Sequence, residues 1–218
     1  MKKSQSFFLI TALIFLMLRI PAFADTVTIT FEGMPGSYVD YYSPPNPSDN
    51  GANIGNYFSS LGVNFGQDAT ILDSSRSSSL YPSSAYPAVS GTAVMTTLSS
   101  DPNYVGNITA SFNNPTNYVS VWFTTDGYFY LEAYNLGGNM ITFASFESLF
   151  GNTGSNGMLQ VSTPGYDIAY VIMHDGGGLF TVDDFTFNVP VAEPGTILLL
   201  GCGLIGLGLA GLRKKFRK

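Results

Sequence analysis

The middle of the chain is written in short alternations. In Thr26–Phe31 every second residue is apolar, which puts Val27, Ile29 and Phe31 on one face and three threonines on the other. That two-residue repeat belongs to a half-buried strand. Similar runs recur near 61–65, 70–72, 92–98, 107–112, 117–124, 128–135, 140–146, 157–162, 167–174 and 179–188. Turn signals such as Asp126-Gly127, Gly137-Gly138-Asn139 and Gly176-Gly177-Gly178 separate them. No amphipathic helix of more than three turns can be laid along this region. The pattern therefore predicts an all-β fold over residues 25–190, two packed antiparallel sheets forming a jelly-roll sandwich. The absence of an internal sequence repeat argues against a propeller or solenoid. Gly33–Tyr57, with four prolines, and the serine-rich 73–87, with Tyr81-Pro82 and Tyr86-Pro87, are expected to be loops.

Two neighbouring strands carry most of the candidate chemistry. In 118–124 the apolar face is Val119, Val121 and Phe123, opposed by Tyr118, Ser120, Trp122 and Thr124. In 128–134 Phe129, Leu131 and Ala133 oppose Tyr128, Tyr130, Glu132 and Tyr134. If Thr125-Asp126-Gly127 closes a three-residue hairpin loop, Trp122 lies opposite Tyr130 and Tyr118 opposite Tyr134, all on one surface. Sugar rings stack on such aromatic surfaces through their C–H faces, with Glu132 or Ser120 available to hydroxyls. The same residues would equally serve as cross-strand pairs that stabilise a sheet.

The pattern changes at both ends. Lys2-Lys3, the apolar run Phe7–Leu18 and Ala22-Phe23-Ala24 have the three regions of a secretory signal peptide, predicted to span residues 1–24. At the other end, Val191–Thr196 leads into the 16-residue apolar run Ile197–Leu212, followed by Arg213, Lys214, Lys215, Phe216, Arg217 and Lys218. As a helix that run would cover about 24 Å, enough to span a thinned bilayer. The basic tip favours the cytoplasmic side and leaves the rest of the chain outside.

Removing the ends changes the charge picture. Eight of the nine basic residues lie in the terminal segments and only Arg76 in between, whereas fourteen of the fifteen acids fall between them. The formal charge of this middle region is thus −13, which repels nucleic acid and anionic lipid. Bound cations would relieve it; solubility alone would also account for it. The single cysteine, Cys202, lies in the apolar tail, so the β region has neither a disulfide nor a thiol nucleophile. His174 is the only histidine, and neither a Gly-x-Ser-x-Gly elbow nor a His/Cys cluster occurs. A non-enzymatic protein is expected, the alternative being a glycan-active enzyme that uses two of the fourteen acids as a carboxylate pair.

The tail, with Ala192, Glu193, Pro194 and Gly195 before a glycine-studded apolar run and a basic tip, resembles the C-terminal sorting signals called PEP-CTERM. It departs from them in having Ala192 where the first proline belongs. The resemblance covers 191–218 and implies transient anchoring in the inner membrane, processing by an exosortase-like enzyme, and delivery to the cell surface or extracellular matrix. A plain uncleaved anchor is the alternative. Phe31-Glu32-Gly33, Leu61–Phe65, Leu131–Asn135 and Val182–Phe185 resemble landmarks of jelly-roll domains and of galactose-binding-like carbohydrate-binding modules. That resemblance implies polysaccharide as a partner. It also implies a structural calcium ion tying the first strand to the last, through Glu32 and Asp184, with Asp183 beside it. The alternative for these acids is an exposed strand end.

Overall fold

The computed structural model describes residues 24–35, 54–66, 68–75, 83–97 and 106–190, together with Gly203. The sorting motif at Ala192–Gly195 and the basic tip lie outside the described residues, as do residues 1–23. Among the described residues no helix is long and apolar enough to cross a membrane; the run expected to do so, Ile197–Leu212, lies outside them apart from Gly203.

Alternation becomes strand over most of its length, although the first strand stops at Ile29 and Phe31, at φ 61°, lies beyond it. The strands are β1 (Ala24–Ile29), β2 (Val63–Phe65), β3 (Ala69–Asp73), β4 (Ala93–Thr97), β5 (Asn107–Thr116) and β6 (Tyr118–Thr125). They continue with β7 (Phe129–Tyr134), β8 (Met140–Phe146), β9 (Gly157–Ser162), β10 (Ile168–Asp175) and β11 (Phe180–Pro190). A single 3₁₀ turn, Ser59–Leu61, precedes β2. It takes the first residue of the expected 61–65 strand, and Gly62, at φ 101°, turns the chain out of it.

The strands form two antiparallel sheets. One runs β3-β4-β11-β6-β9, with β1 also on β11; the other runs β2-β5-β10-β7-β8. This is the predicted all-β sandwich. Val119, Val121 and Phe123 of the first sheet face Phe129, Leu131 and Ala133 of the second, and all six are buried. Phenylalanines fill much of the space between. Phe123 stacks on Phe129 with centroids 4.5 Å apart and an interplanar angle of 16°, and Phe129 meets Phe180 at 5.2 Å. Phe31, Phe58, Phe65 and Phe185 meet edge to face at 5.4–6.0 Å, the offset geometry that aromatic rings prefer.

One expectation is overturned here. β6 pairs with β11 and β9, whereas β7 pairs with β10 and β8, so β6 and β7 belong to different sheets. Trp122 lies opposite Met158 and Asp183 rather than Tyr130, and Tyr118 opposite Ser162 rather than Tyr134. The segment between them is an arch across the sandwich. The Asp126 N–H donates to the Leu179 carbonyl at 3.2 Å, and Asp126 Oδ1 accepts from the Leu179 N–H at 3.0 Å. The Asn152 side chain accepts from the Thr125 N–H at 2.8 Å. With its polar groups spent on neighbouring loops, the arch lets Phe123 and Phe129 bury against each other. A hairpin would put the strands they sit on side by side in one sheet.

Candidate functional site

The outward face of the five-stranded sheet is built by residues that alternate with the core. β7 presents Tyr130, Glu132 and Tyr134 between the buried Phe129, Leu131 and Ala133. β10 presents Tyr170, Ile172 and His174 between buried Val171 and Met173. Antiparallel register aligns Tyr170 with Tyr134, Ile172 with Glu132, and His174 with Tyr130, and residues directly opposite share a face. Phe143 of β8 lies across from Glu132 on the other side and is 57% exposed.

Register translates into two ring stacks. Tyr134 and Tyr170 are parallel at 4.9 Å, and Tyr130 and His174 stack at 5.0 Å with an 18° tilt. Glu132 lies between the stacks and is tied to both. Its Oε2 accepts a 2.6 Å hydrogen bond from the Tyr134 hydroxyl, and its Oε1 lies 3.5 Å from His174 Nε2. The accepting carboxylate, with burial and its negative charge behind it, pushes the Tyr134 phenol up to about 12, so this hydroxyl stays a donor at any physiological pH. Beyond the Tyr134–Tyr170 stack, an open groove of about 460 Å³ is lined by Asn135, Leu136, Ile141, Tyr166 and Asp167 among others.

The sequence-predicted aromatic residues are therefore split between two surfaces. Tyr130, Glu132 and Tyr134 stand together on this face. Tyr128 lies in the arch, with its ring close against Gly176. Trp122 and Tyr118 lie on the other sheet, where Tyr118 bonds Gln160 Oε1 at 3.2 Å. Tyr170, Ile172 and His174 were missing from the predicted set. Their alternation with Val171 and Met173 is visible in the sequence, but the pairing of β10 with β7 is not.

Glu32, Asp183 and Asp184 also come together, at the point where β1 ends and β4 begins beside β11. Asp184, at φ 45°, sits in an irregularity of β11 between Asp183 and Thr186, a bulge of the kind that re-aims side chains. Glu32 Oε1 accepts from the Thr92 and Ala93 N–H groups, both at 2.8 Å. Asp183 Oδ2 accepts from the Val89 and Ser90 N–H groups at 2.7 and 2.9 Å, and its Oδ1 from the Asp184 N–H at 2.7 Å. Asp184 Oδ1 takes the Ser90 hydroxyl at 2.7 Å. Three carboxylates thus clamp the loop 89–93 onto the end of the first sheet. The groups facing Asp183 and Oε1 of Glu32 are N–H donors, and Glu32 Oε2 meets the Thr92 hydroxyl at 3.4 Å; calcium asks for a cage of six to eight oxygens. Among the described residues no group of three or more His, Cys, Asp or Glu is placed to hold a metal ion. Burial pushes Asp183 up to about 6, against the opposing effect of its backbone hydrogen bonds.

No family model and no curated protein matches the chain. Among solved structures it is similar to the K2 cleaved adhesin domain of Lys-gingipain, with 13% identity over 76% of this chain and 100% of that one, at a TM-score of 0.46. It is also similar to a family 29 carbohydrate-binding module, with 10% identity over 79% of this chain and 96% of that one, at 0.40. A third is a family 29 module from Piromyces equi, with 12% identity over 58% and 80% of the two chains, at 0.38. These superpositions are loose, and what those proteins bind does not carry over to this chain.

Proposed function

We propose that this is an exported, non-enzymatic surface or matrix protein whose five-stranded sheet binds polysaccharide on its outward face. The observation that carries this reading is the pair of partly exposed ring stacks, Tyr134–Tyr170 and Tyr130–His174, flanking one carboxylate. Aromatic rings offer apolar area to the C–H faces of sugars, and Glu132 supplies an acceptor for hydroxyls beside them. The adjoining groove extends the surface past the end of the sheet. Export and sorting rest on the terminal sequence patterns: a signal peptide over 1–24 and a PEP-CTERM-like tail over 191–218 that an exosortase-like enzyme would process.

Tyr170→Ala separates this site from the one expected from the hairpin. In a glycan array on the full chain, Tyr170→Ala is expected to lose retention at least about tenfold, while Trp122→Ala on the opposite sheet retains it. Equal loss in both variants, or in neither, would defeat the assignment. A structural matrix protein without glycan affinity is the competing reading, favoured by the fact that both stacks are cross-strand pairs. On that reading Tyr170→Ala lowers thermal stability and no glycan is retained by the parent chain.

A further inference from the structure

Resting on the glycan-binding reading above, we infer that the polysaccharide taken by this face carries protonated amines, as a polymer of de-N-acetylated hexosamine does. Its charges follow the acids of the surface. Glu132 lies between the two stacks, and Asp167 lines the groove on the far side of Tyr134–Tyr170. The order along the surface is acid, ring pair, acid. No lysine or arginine occurs among the described residues; the basic side chain that they place on this face is His174, already beside Glu132. A carboxylated or sulfated polymer would meet two acids here and no fixed cation.

Glu132 keeps capacity for such a ligand. An ionised carboxylate has about four acceptor positions. The Tyr134 hydroxyl takes one of them on Oε2, and the 3.5 Å approach of His174 to Oε1 is long for a hydrogen bond. An ammonium group arriving at Oε1 would also lie near aromatic faces, where cations are held by the ring quadrupole. The acidic field of the whole β region draws a cationic chain in and repels an anionic one.

The test is calorimetric titration of the full chain, at mildly acidic pH and low salt, with three probes: a glucosamine hexamer, an N-acetylglucosamine hexamer and a galacturonate hexamer. The glucosamine hexamer is expected to bind at least about tenfold tighter than the acetylated one and to weaken as salt is raised. The galacturonate hexamer is expected not to bind. Glu132→Gln is expected to weaken the glucosamine hexamer about tenfold and the acetylated hexamer by clearly less, because both lose a hydroxyl acceptor and only the first loses a counter-charge. Asp167→Asn, at an exposed position where folding is not at stake, repeats the test in the groove. Equal or tighter binding of either other probe overturns the amine specificity and leaves polysaccharide binding standing. Glucosamine binding that ignores Glu132→Gln, Asp167→Asn and Tyr170→Ala alike is adhesion to an acidic protein and overturns it too. If no probe binds, the amine specificity falls, and the glycan array above decides separately whether polysaccharide binding falls with it.

Discussion

Asp183 is ionisable, almost fully buried, and faced by backbone amide donors. Its carboxyl is raised from about 3.8 to about 6 by desolvation, so the native state holds this proton to higher pH than the unfolded chain does. Between those two values the folded form binds more protons, and stability contributed by this residue falls as pH rises. The contribution is fully present below about 4 and gone above about 6. Replacing Asp183 by Asn removes the titration. The stability of Asp183→Asn relative to the parent, measured by urea denaturation, should therefore improve steadily from pH 4 to pH 7; a flat difference would show that the carboxyl does not titrate in this window. Gly91 shows how closely the loop is held. Its φ is 58°, and a Cβ there would run into the Glu32 carboxylate.

At the scale of elements the decisive feature is the arch Asp126–Tyr128, which sends β6 and β7 into opposite sheets. The Phe123–Phe129 stack joins those sheets just inside it. Truncating Phe129 empties space between two sheets that cannot collapse freely, so Phe129→Ala should cost about 3–5 kcal/mol in chemical denaturation. A loss under about 1 kcal/mol would mean that the stack does not hold the arch. Strand positions were legible because alternation is local: 140–146 and 157–162 were predicted at their observed bounds, and the core faces of β6 and β7 were read correctly. Partnership was not legible. It depends on β11 and β9 competing for β6, at separations that no turn signal reports. The site inherited that limit. Tyr130, Glu132 and Tyr134 could be placed on one face from spacing, but Trp122 was joined to them by a hairpin that does not form. Tyr170 and His174 became neighbours only through the β10–β7 register.

For the molecule as a whole, the sequence gathers eight of its nine basic residues in the terminal segments and fourteen of its fifteen acids between them, in the region that holds the compact unit Asp25–Val189. The proposed sorting of the tail makes a mass prediction. Protein extracted from the surface of the producing cell should lack Ile197–Lys218, and Glu193→Ala should leave the uncleaved form in the membrane fraction. A surface form that retains the tail would identify it as a plain anchor.

The pairing of β1 with β11 bears on how such a sandwich meets mechanical load. Thr26 bonds Asn188 and Thr28 meets Thr186, so the first and last strands run antiparallel and their outer ends, near Asp25 and Val189, leave the sheet at the same edge. Tension drawn between those ends would peel the two strands apart rung by rung, like opening a zip, instead of shearing the whole ladder at once. A module attached through only one end never feels that pull, and its first seam stays shut however hard the attachment is dragged.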